Sequence, residues 1–482
     1  NRSSRGGGIA VMGGAELLLD FSQVGGNIAE GLFGRGGGIY CGDPHSEVII
    51  NEGAIIGNST PGNGGGVHLD GCGGLRSGIS RIGGIAPVLI ANNIAGVPDS
   101  SNGGLGGGVY IENSVMSFTD AQEQTFSLLM ENNTARRGGA LYSTGSATGL
   151  SLLNVLNAAF INNTGHDRGG VLYALGRIDA LFGHGRPQRC TSSLSVRGTR
   201  RSFETCSLMA GNYGGVVHLI NRTGEYAWVQ IQRSELAYNE GIRVPLANIV
   251  GGAFSLTDSV AHSNRALGGG TGVRTPSLLQ LFAPGPHYVL RSTLISNDAP
   301  QMALIDNASL NVAGSILHDP SMRVFRATNG GILVHRGCLL IHPLQSDASL
   351  LEEIAPGFFS EGTYQADPQL GQDFTPSSIS RAIDGCSSER AGGELDLYNQ
   401  PRRTDIPGVV NFPFAAQIPG SYVHDLGAVE RSLVRRIQVP GLRDLTPRFN
   451  QLDLQPRWSP AVPVPSSSSI TPHKGVGELG RN

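Results

Sequence analysis

Gly65-Gly66-Val67-His68-Leu69, Gly107-Gly108-Val109-Tyr110-Ile111, Gly138-Gly139-Ala140-Leu141-Tyr142 and Gly169-Gly170-Val171-Leu172-Tyr173 are copies of one phrase, a glycine pair followed by apolar residues. Further copies flank them, at Gly7-Gly8-Ile9-Ala10-Val11 and Gly37-Gly38-Ile39-Tyr40 on one side and at Gly214-Gly215-Val216-Val217-His218 and Gly251-Gly252-Ala253-Phe254 on the other. Copies recur about every 30 residues, with longer steps at insertions, which is how a solenoid repeats. Between the glycine pairs lies a second phrase, an apolar stretch ending in Asn: Val88-Leu89-Ile90-Ala91-Asn92-Asn93, Leu128-Leu129-Met130-Glu131-Asn132-Asn133 and Ala159-Phe160-Ile161-Asn162-Asn163. Shorter forms at Ile56-Gly57-Asn58, Met209-Ala210-Gly211-Asn212, Ala237-Tyr238-Asn239 and His262-Ser263-Asn264 keep the same order of strand, Asn and glycine pair.

Gly takes positive φ and lets backbones approach closely, while Asn tolerates the left-handed region, so both suit corners. Gly37, Gly38, Gly65, Gly66, Gly107, Gly108, Gly138, Gly139, Gly169 and Gly170 are therefore read as structural, together with the corner residues Asn92, Asn132 and Asn162. Short strands ended by such corners cannot bury a face alone and must stack on the copies above and below. The expectation is an all-β parallel β-helix with about three strands per coil, inward stacks of Val, Ile, Leu and Ala, and ladders of Asn. Leucine-rich repeats lack their Leu offsets here, and a propeller lacks its Trp signals, since the chain has only Trp228 and Trp458.

Composition narrows the class of function. Gly is 71 of 482 residues and charged residues are 15%, which disfavours an ordinary mixed enzyme domain, while 39% apolar content still builds a core. Gly has no every-third period, which excludes collagen, and no apolar run is long enough to span a bilayer as a helix. With a net charge of −3 and Lys474 as the sole Lys, nothing supports nucleic-acid binding. Six cysteines fall as Cys41/Cys72, Cys190/Cys206 and Cys338/Cys386, without zinc-site spacing, and no metal or cofactor is expected. Pairing of neighbours would place the protein in an oxidising compartment, although sequence alone permits fifteen connectivities. Asn1-Arg2-Ser3-Ser4-Arg5 is not followed by an apolar leader, so an export signal is read as already removed.

The alternation of the two phrases over residues 5–345 resembles the passenger domains of polymorphic outer-membrane proteins and similar autotransporter-like surface proteins. That resemblance implies a right-handed parallel β-helix displayed or secreted by bacteria. Residues 1–345 form the repeat domain, with a disulfide-closed insertion at about 175–205 read as a loop protruding from a corner. Residues 346–430 hold Ala366-Asp367-Pro368-Gln369-Leu370, Ala382-Ile383-Asp384, Asp396 to Arg402 and Asp425-Leu426-Gly427-Ala428-Val429-Glu430. These are similar to the closing segment of bacterial β-helix proteins that carry interchangeable surface anchors, and their Asp and Arg are expected to pair and seal the last coil. Residues 431–482 are a Pro- and Ser-rich extended tail, read as a strap. Between residues 255 and 345 a spacing near 22 suggests tighter coils.

β-Helices also host polysaccharide lyases and glycosidases, so residues must decide. Hydrolysis needs paired carboxylates, and a lyase needs a calcium-binding carboxylate cluster; neither pattern is found. Gly183-His184-Gly185 resembles one short polygalacturonase motif whose companions are missing. His166-Asp167-Arg168 reads as a solvated corner, His68 and His218 as stacked surface residues, and Thr205-Cys206-Ser207 with Arg200-Arg201 as no nucleophile-base pair. Tyr40, Tyr110, Tyr142 and Tyr173 share one repeat position and form an aromatic stripe, a structural ladder or a platform for sugar rings. The expected function is that of a non-enzymatic extracellular structural protein. It would self-associate head to tail into a filament or act as an adhesin for a glycan or protein, and a carbohydrate-active enzyme is the alternative.

Overall fold

In a computed structural model of the chain, the described residues are 1–77, 87–96, 104–119, 126–185, 190–221, 224, 226–268, 275–319, 322–335, 338–341, 363–377, 379–383, 386–387, 395–398, 402 and 423–429. The chain divides after Leu433 into two units, and all described residues fall in the first. The tail 431–482, the boundary at 345, and Asp384 and Glu430 of the closing segment lie outside them.

No helix occurs among the described residues, and nearly all strands pair in parallel. A coil is illustrated by the strands Val109–Glu112, Val115–Phe118, Leu128–Glu131 and Thr134–Arg137. Each pairs in register with its counterpart one coil on, at Leu141–Gly145, Ser151–Leu156, Ala158–Ile161 and Thr164–Arg168. The result is a parallel β-helix. Its first sheet runs from Ile9–Val11 to Arg323–Thr328 and its second from Glu16–Leu19 to Ile332–His335, with eleven strands each. The third runs from Ser22–Gly25 to Leu339–Ile341 and takes Thr363–Gln365 as a twelfth strand. We number coils 1 to 11 by their first-sheet strands.

The expected three strands per coil become four at the N-terminal side. A fourth sheet of short strands, from Arg2–Ser3 to Thr164–Arg168, follows the Asn corner through coil 5. Beyond it the fourth side shrinks to Glu240–Gly241 pairing with Arg265–Ala266. The coils then tighten as the spacing predicts, with Leu279, Ala303 and Phe325 in register.

Alternation along each strand fills the interior. Ile39, Val67, Val109, Leu141 and Leu172 stack in one fully buried column of the first sheet, with Met116, Leu128 and Met130 facing them. Each such side chain contributes about 1.5–3 kcal/mol by leaving water. The glycine pairs stand where the fourth side turns into the first sheet and successive coils touch backbone to backbone. A Cβ on Gly107 would overlap Gly139 O and stand 2.6 Å from Thr134 N. Gly107→Ala is therefore expected to destabilise by about 1–3 kcal/mol, read as a lower urea midpoint at unchanged slope.

The asparagine ladder is present one residue later than the sequence suggested. Asn92, Asn132 and Asn162 take φ of 54°, 54° and 53° and make the corner. The ladder belongs to the residue that follows each of them. It runs Asn27, Asn58, Asn93, Asn133, Asn163, Asn212, Asn239, Asn264 and Asn297 and ends on Asp319. From asparagine to asparagine the backbone N–H and the side-chain Nδ2 both donate to Oδ1 of the next member, as from Asn93 to Asn133 at 3.1 and 3.0 Å, and at the end Asn297 divides them between Oδ1 and Oδ2 of Asp319. The same Nδ2 also donates to a third-sheet carbonyl of the preceding coil, Ile55 O in the case of Asn93. A serine ladder, Ser234, Ser259, Ser292 and Ser315, satisfies the corner between the second and third sheets in the same way.

The three disulfides join sequence neighbours, Cys41–Cys72, Cys190–Cys206 and Cys338–Cys386. The insertion is shorter than expected and does not protrude. Residues 178–183 are a regular second-sheet strand, and the inserted hairpin Ser192–Val196/Thr199–Phe203 lies against the outer face of the third sheet. Its Val196 and Phe203 pack on Ile161, Leu208 and Ala237, which is why a polar-looking segment folds back.

Candidate functional site

The outer face of the first sheet carries the aromatic stripe. Tyr40, His68, Tyr110, Tyr142, Tyr173 and His218 stand in one register column, with ring centroids 5.6, 4.4, 5.2, 5.2 and 4.8 Å apart. All six are buried, because residues from the fourth side roof them. Arg5 lies over Tyr40 and Arg137 over Tyr173, Arg35 pairs with Asp70, and Arg168 reaches His218 at 3.3 Å. Tyr40 and Tyr110 donate to Asp70 and Glu112. The stripe is a structural ladder whose faces are closed to sugars, and the two histidines belong to it instead of lying on the surface. Burial, aided by Arg35, lowers the pKa of His68 to about 4. Burial, aided by Arg168 and Arg137, lowers that of His218 to about 3. Three tyrosines separate them, so they cannot share a metal.

The outer face of the third sheet is also covered. The hairpin lies over its middle, with Arg201 on the Tyr238 ring and Arg197 paired to Glu240. The closing segment lies over its later coils. Leu397, Tyr398, Ala428 and Val429 pack on Val260, and Ala382 and Leu426 pack on Ile316 and Leu340. The segment also reaches back to the coils: Arg402 bonds Asp258 of coil 8 at 3.2 Å and Gly427 O at 2.9 Å, while Asp258 is held bidentately by Arg291. Burial opposes the Asp258 charge, yet Arg291, Arg402 and Arg233 keep its carboxyl below the usual range. Arg402→Met is expected to cost about 3 kcal/mol, because a buried pair loses one partner while Arg291 still holds the other. Limited proteolysis would then cut within the closing segment before the coils.

On this covered face Glu235 Oε1 is 3.0 Å from His262 Nε2, and His262 Nδ1 is 3.2 Å from Ser263 Oγ. This is the nearest approach to a nucleophile, base and carboxylate chain among the described residues. The neighbouring donors are committed, however: the N–H of Ser263 binds Ser296 O and that of Asn264 binds Asn297 Oδ1. No oxyanion could be held there by these groups. With Tyr238 and Phe374 at 5.4 and 5.0 Å from the imidazole, the trio stitches coils to the closing segment.

Among the described residues, the outer face of the second sheet is covered only along its edge with the third sheet, where Leu290 and Ala313 pack with Ala382 and Leu426 of the closing segment. From coil 5 onward its outward positions include Leu152 and Asn154, Asp179 and Leu181, Trp228 and Gln230, Ala253 and Ser255, Tyr288, Asn311, and finally Ile332 and Val334. Asp179 stands directly beside Trp228, and Tyr226 donates to it at 3.4 Å while meeting Trp228 edge-on at 6.4 Å. Burial holds the Asp179 carboxyl above its ordinary range against that hydrogen bond, and burial beside Asp179 raises the Tyr226 phenol to about 12. Strict alternation in Ala227–Gln232 signals this face in the sequence, but the strand carries no repeat phrase and was passed over.

The other candidates resolve into structure. In the exposed triplet at 166–168, Asp167 pairs with Arg136 and Arg137, and Arg168 turns to His218. His184 is fully buried, and Ser207 bonds Ser234 in the serine corner. Among the described residues no group of three His, Cys, Asp or Glu could hold a metal, and no helix is long and apolar enough to cross a membrane. Compared with family models, curated proteins and solved structures, the chain matches none.

Proposed function

We propose that the chain is an extracellular, non-enzymatic bacterial surface or secreted protein, a disulfide-stapled column that binds a partner side-on in the manner of an adhesin. One observation carries this reading. Among the described residues, two of the three long outer faces are roofed, by arginine stems and by the hairpin with the closing segment, and the second-sheet face is left open except along its edge with the third sheet. Three disulfides suit an oxidising compartment. The bare flank favours lateral binding over the head-to-tail filament. Glycoside hydrolysis would need two carboxylates across one bond, and among the described residues the outward positions of this flank offer Asp179 alone from coil 5 to coil 11.

The test uses beads coated with the intact chain on bacterial envelopes, animal matrix and plant cell wall. Adhesion to at least one is expected, lost in an Asn154→Arg, Gln230→Arg, Asn311→Arg variant and kept in Arg136→Glu at the opposite corner. Equal adhesion by both variants, filaments in electron micrographs, or release of reducing or unsaturated ends from glycans would overturn the reading.

A further inference from the structure

We propose that the bare second-sheet face is a binding site for a neutral polysaccharide, stacked on Trp228, Tyr226 and Tyr288 and hydrogen-bonded through its hydroxyls to Asp179, Asn154 and Gln230. This rests on the reading of that face as the binding surface and adds the chemical class of its ligand.

Charge is the first argument. Among the described outward positions of coils 5 to 11, Asp179 is the only carboxylate, and no Lys, Arg or His stands there. An acidic polysaccharide or a nucleic acid would meet a carboxylate and no cation, the wrong complement. Earlier coils of the same sheet differ, with Glu16, Glu47 and Arg76 on the outward columns.

The second argument is the mixture of groups. A protein partner's apolar core would want contiguous aliphatic surface, whereas here Leu152 and Leu181 alternate with Asn154, Gln230, Ser255 and Asn311. Aromatic rings offer flat apolar faces to the C–H side of a sugar, and amides with a carboxylate can bridge its hydroxyls. Tyr226 is 49% exposed, which leaves its ring available. Trp228 is partly exposed, so an edge of its indole ring lies open on the face, while its Nε1–H is buried.

Shape is the third argument. Coils stack about 4.8 Å apart, so the seven outward steps form a straight ribbon on the order of 30 Å long, fitted to an extended polymer and not to a compact ligand. The half-buried Asp179, its carboxyl held above the ordinary range by burial, presents two acceptor oxygens beside Trp228.

The chain has two tryptophans, Trp228 and Trp458. In a Trp458→Phe variant of the full chain, fluorescence reports on Trp228 alone. Linear hexasaccharides of glucose, mannose, xylose and N-acetylglucosamine are titrated, beside hexagalacturonate. A saturable change with at least one neutral probe is expected, weakened about tenfold by Asp179→Leu or Gln230→Leu with circular dichroism and melting unchanged. No response to any neutral probe, or a response to hexagalacturonate alone, overturns the ligand class. If the beads still adhere through this face, the binding-face reading survives that failure. If adhesion ignores the face variants, both fall.

Discussion

Acidification from about pH 6.5 to about pH 4.5 is expected to remove roughly 5 kcal/mol of folding stability, because three buried histidines must stay neutral in the fold. His68, His218 and His287 have pKa values lowered from 6.5 to about 4, 3 and 4. His287 faces the interior in register between Phe254 and Leu310, with neither ring nitrogen hydrogen-bonded among the described residues. Between these values the unfolded chain carries three protons that the folded chain refuses. The stability they contribute is whole above 6.5 and is lost as pH falls toward 4. Asp319 works in the opposite sense. Burial raises its carboxyl from 3.8 to about 7, against hydrogen bonds from Asn297, so the folded chain holds one proton there that the unfolded chain releases. The net is about two protons, or about 2.7 kcal/mol per pH unit. Asp179, also raised, tempers the slope slightly. Urea midpoints at three pH values measure it. Replacing all three histidines, His68→Tyr, His218→Tyr and His287→Leu, should reverse its sign and leave Asp319 in control. A slope unchanged by those replacements would refute the assignment.

Asn133→Leu is expected to cost about 4 kcal/mol or more and to melt the column at its middle. Its Oδ1 accepts from the N–H and Nδ2 of Asn93, and its Nδ2 donates to Ile90 O and to Asn163 Oδ1. Removing the amide breaks four hydrogen bonds in a fully buried corner and takes from the Asn93 N–H its acceptor, and a buried group left unmet costs about 1–3 kcal/mol. Leu also demands volume where the backbones of adjoining coils nearly touch. Asn132→Leu, one residue earlier, tests the difference between corner and ladder. It strains a residue with φ of 54° but strands none of these groups, so its loss should stay near 1–2 kcal/mol. Equal losses at 132 and 133 would mean that the ladder does not carry the corner. Native-state hydrogen exchange at Asn93 N–H gives an independent reading.

The coil was legible because its causes are local. Gly107 and Asn92 answer to backbone geometry that recurs every turn, and recurrence is visible in a string of letters. Asn93 was harder, since Asn92 and Asn93 look alike and only the direction of the chain through the corner separates the residue that turns from the residue that is buried. The covering pieces were illegible for another reason. Val196, Phe203, Leu397 and Arg402 pack on strands remote in sequence, and one-off contacts leave no period. The buried state of the tyrosine stripe follows from the same cause, because Arg5 and Arg137 close over it only once successive coils are stacked. The bare flank was discoverable only by elimination, after the other two sides had been accounted for.

The ladder of amides has one further property. Backbone N–H groups fix which atom of each side chain is the oxygen, so every C=O and N–H along it points the same way. Nine small dipoles therefore add head to tail through the length of the molecule, much as peptide units do in a helix. Their positive pole falls on the carboxyl of Asp319, where it opposes without overcoming the burial that raises that carboxyl's pKa. The column of coils from Asn27 to Asp319 is thus electrically polar along its axis, through a shielded interior filament that added salt would scarcely dim.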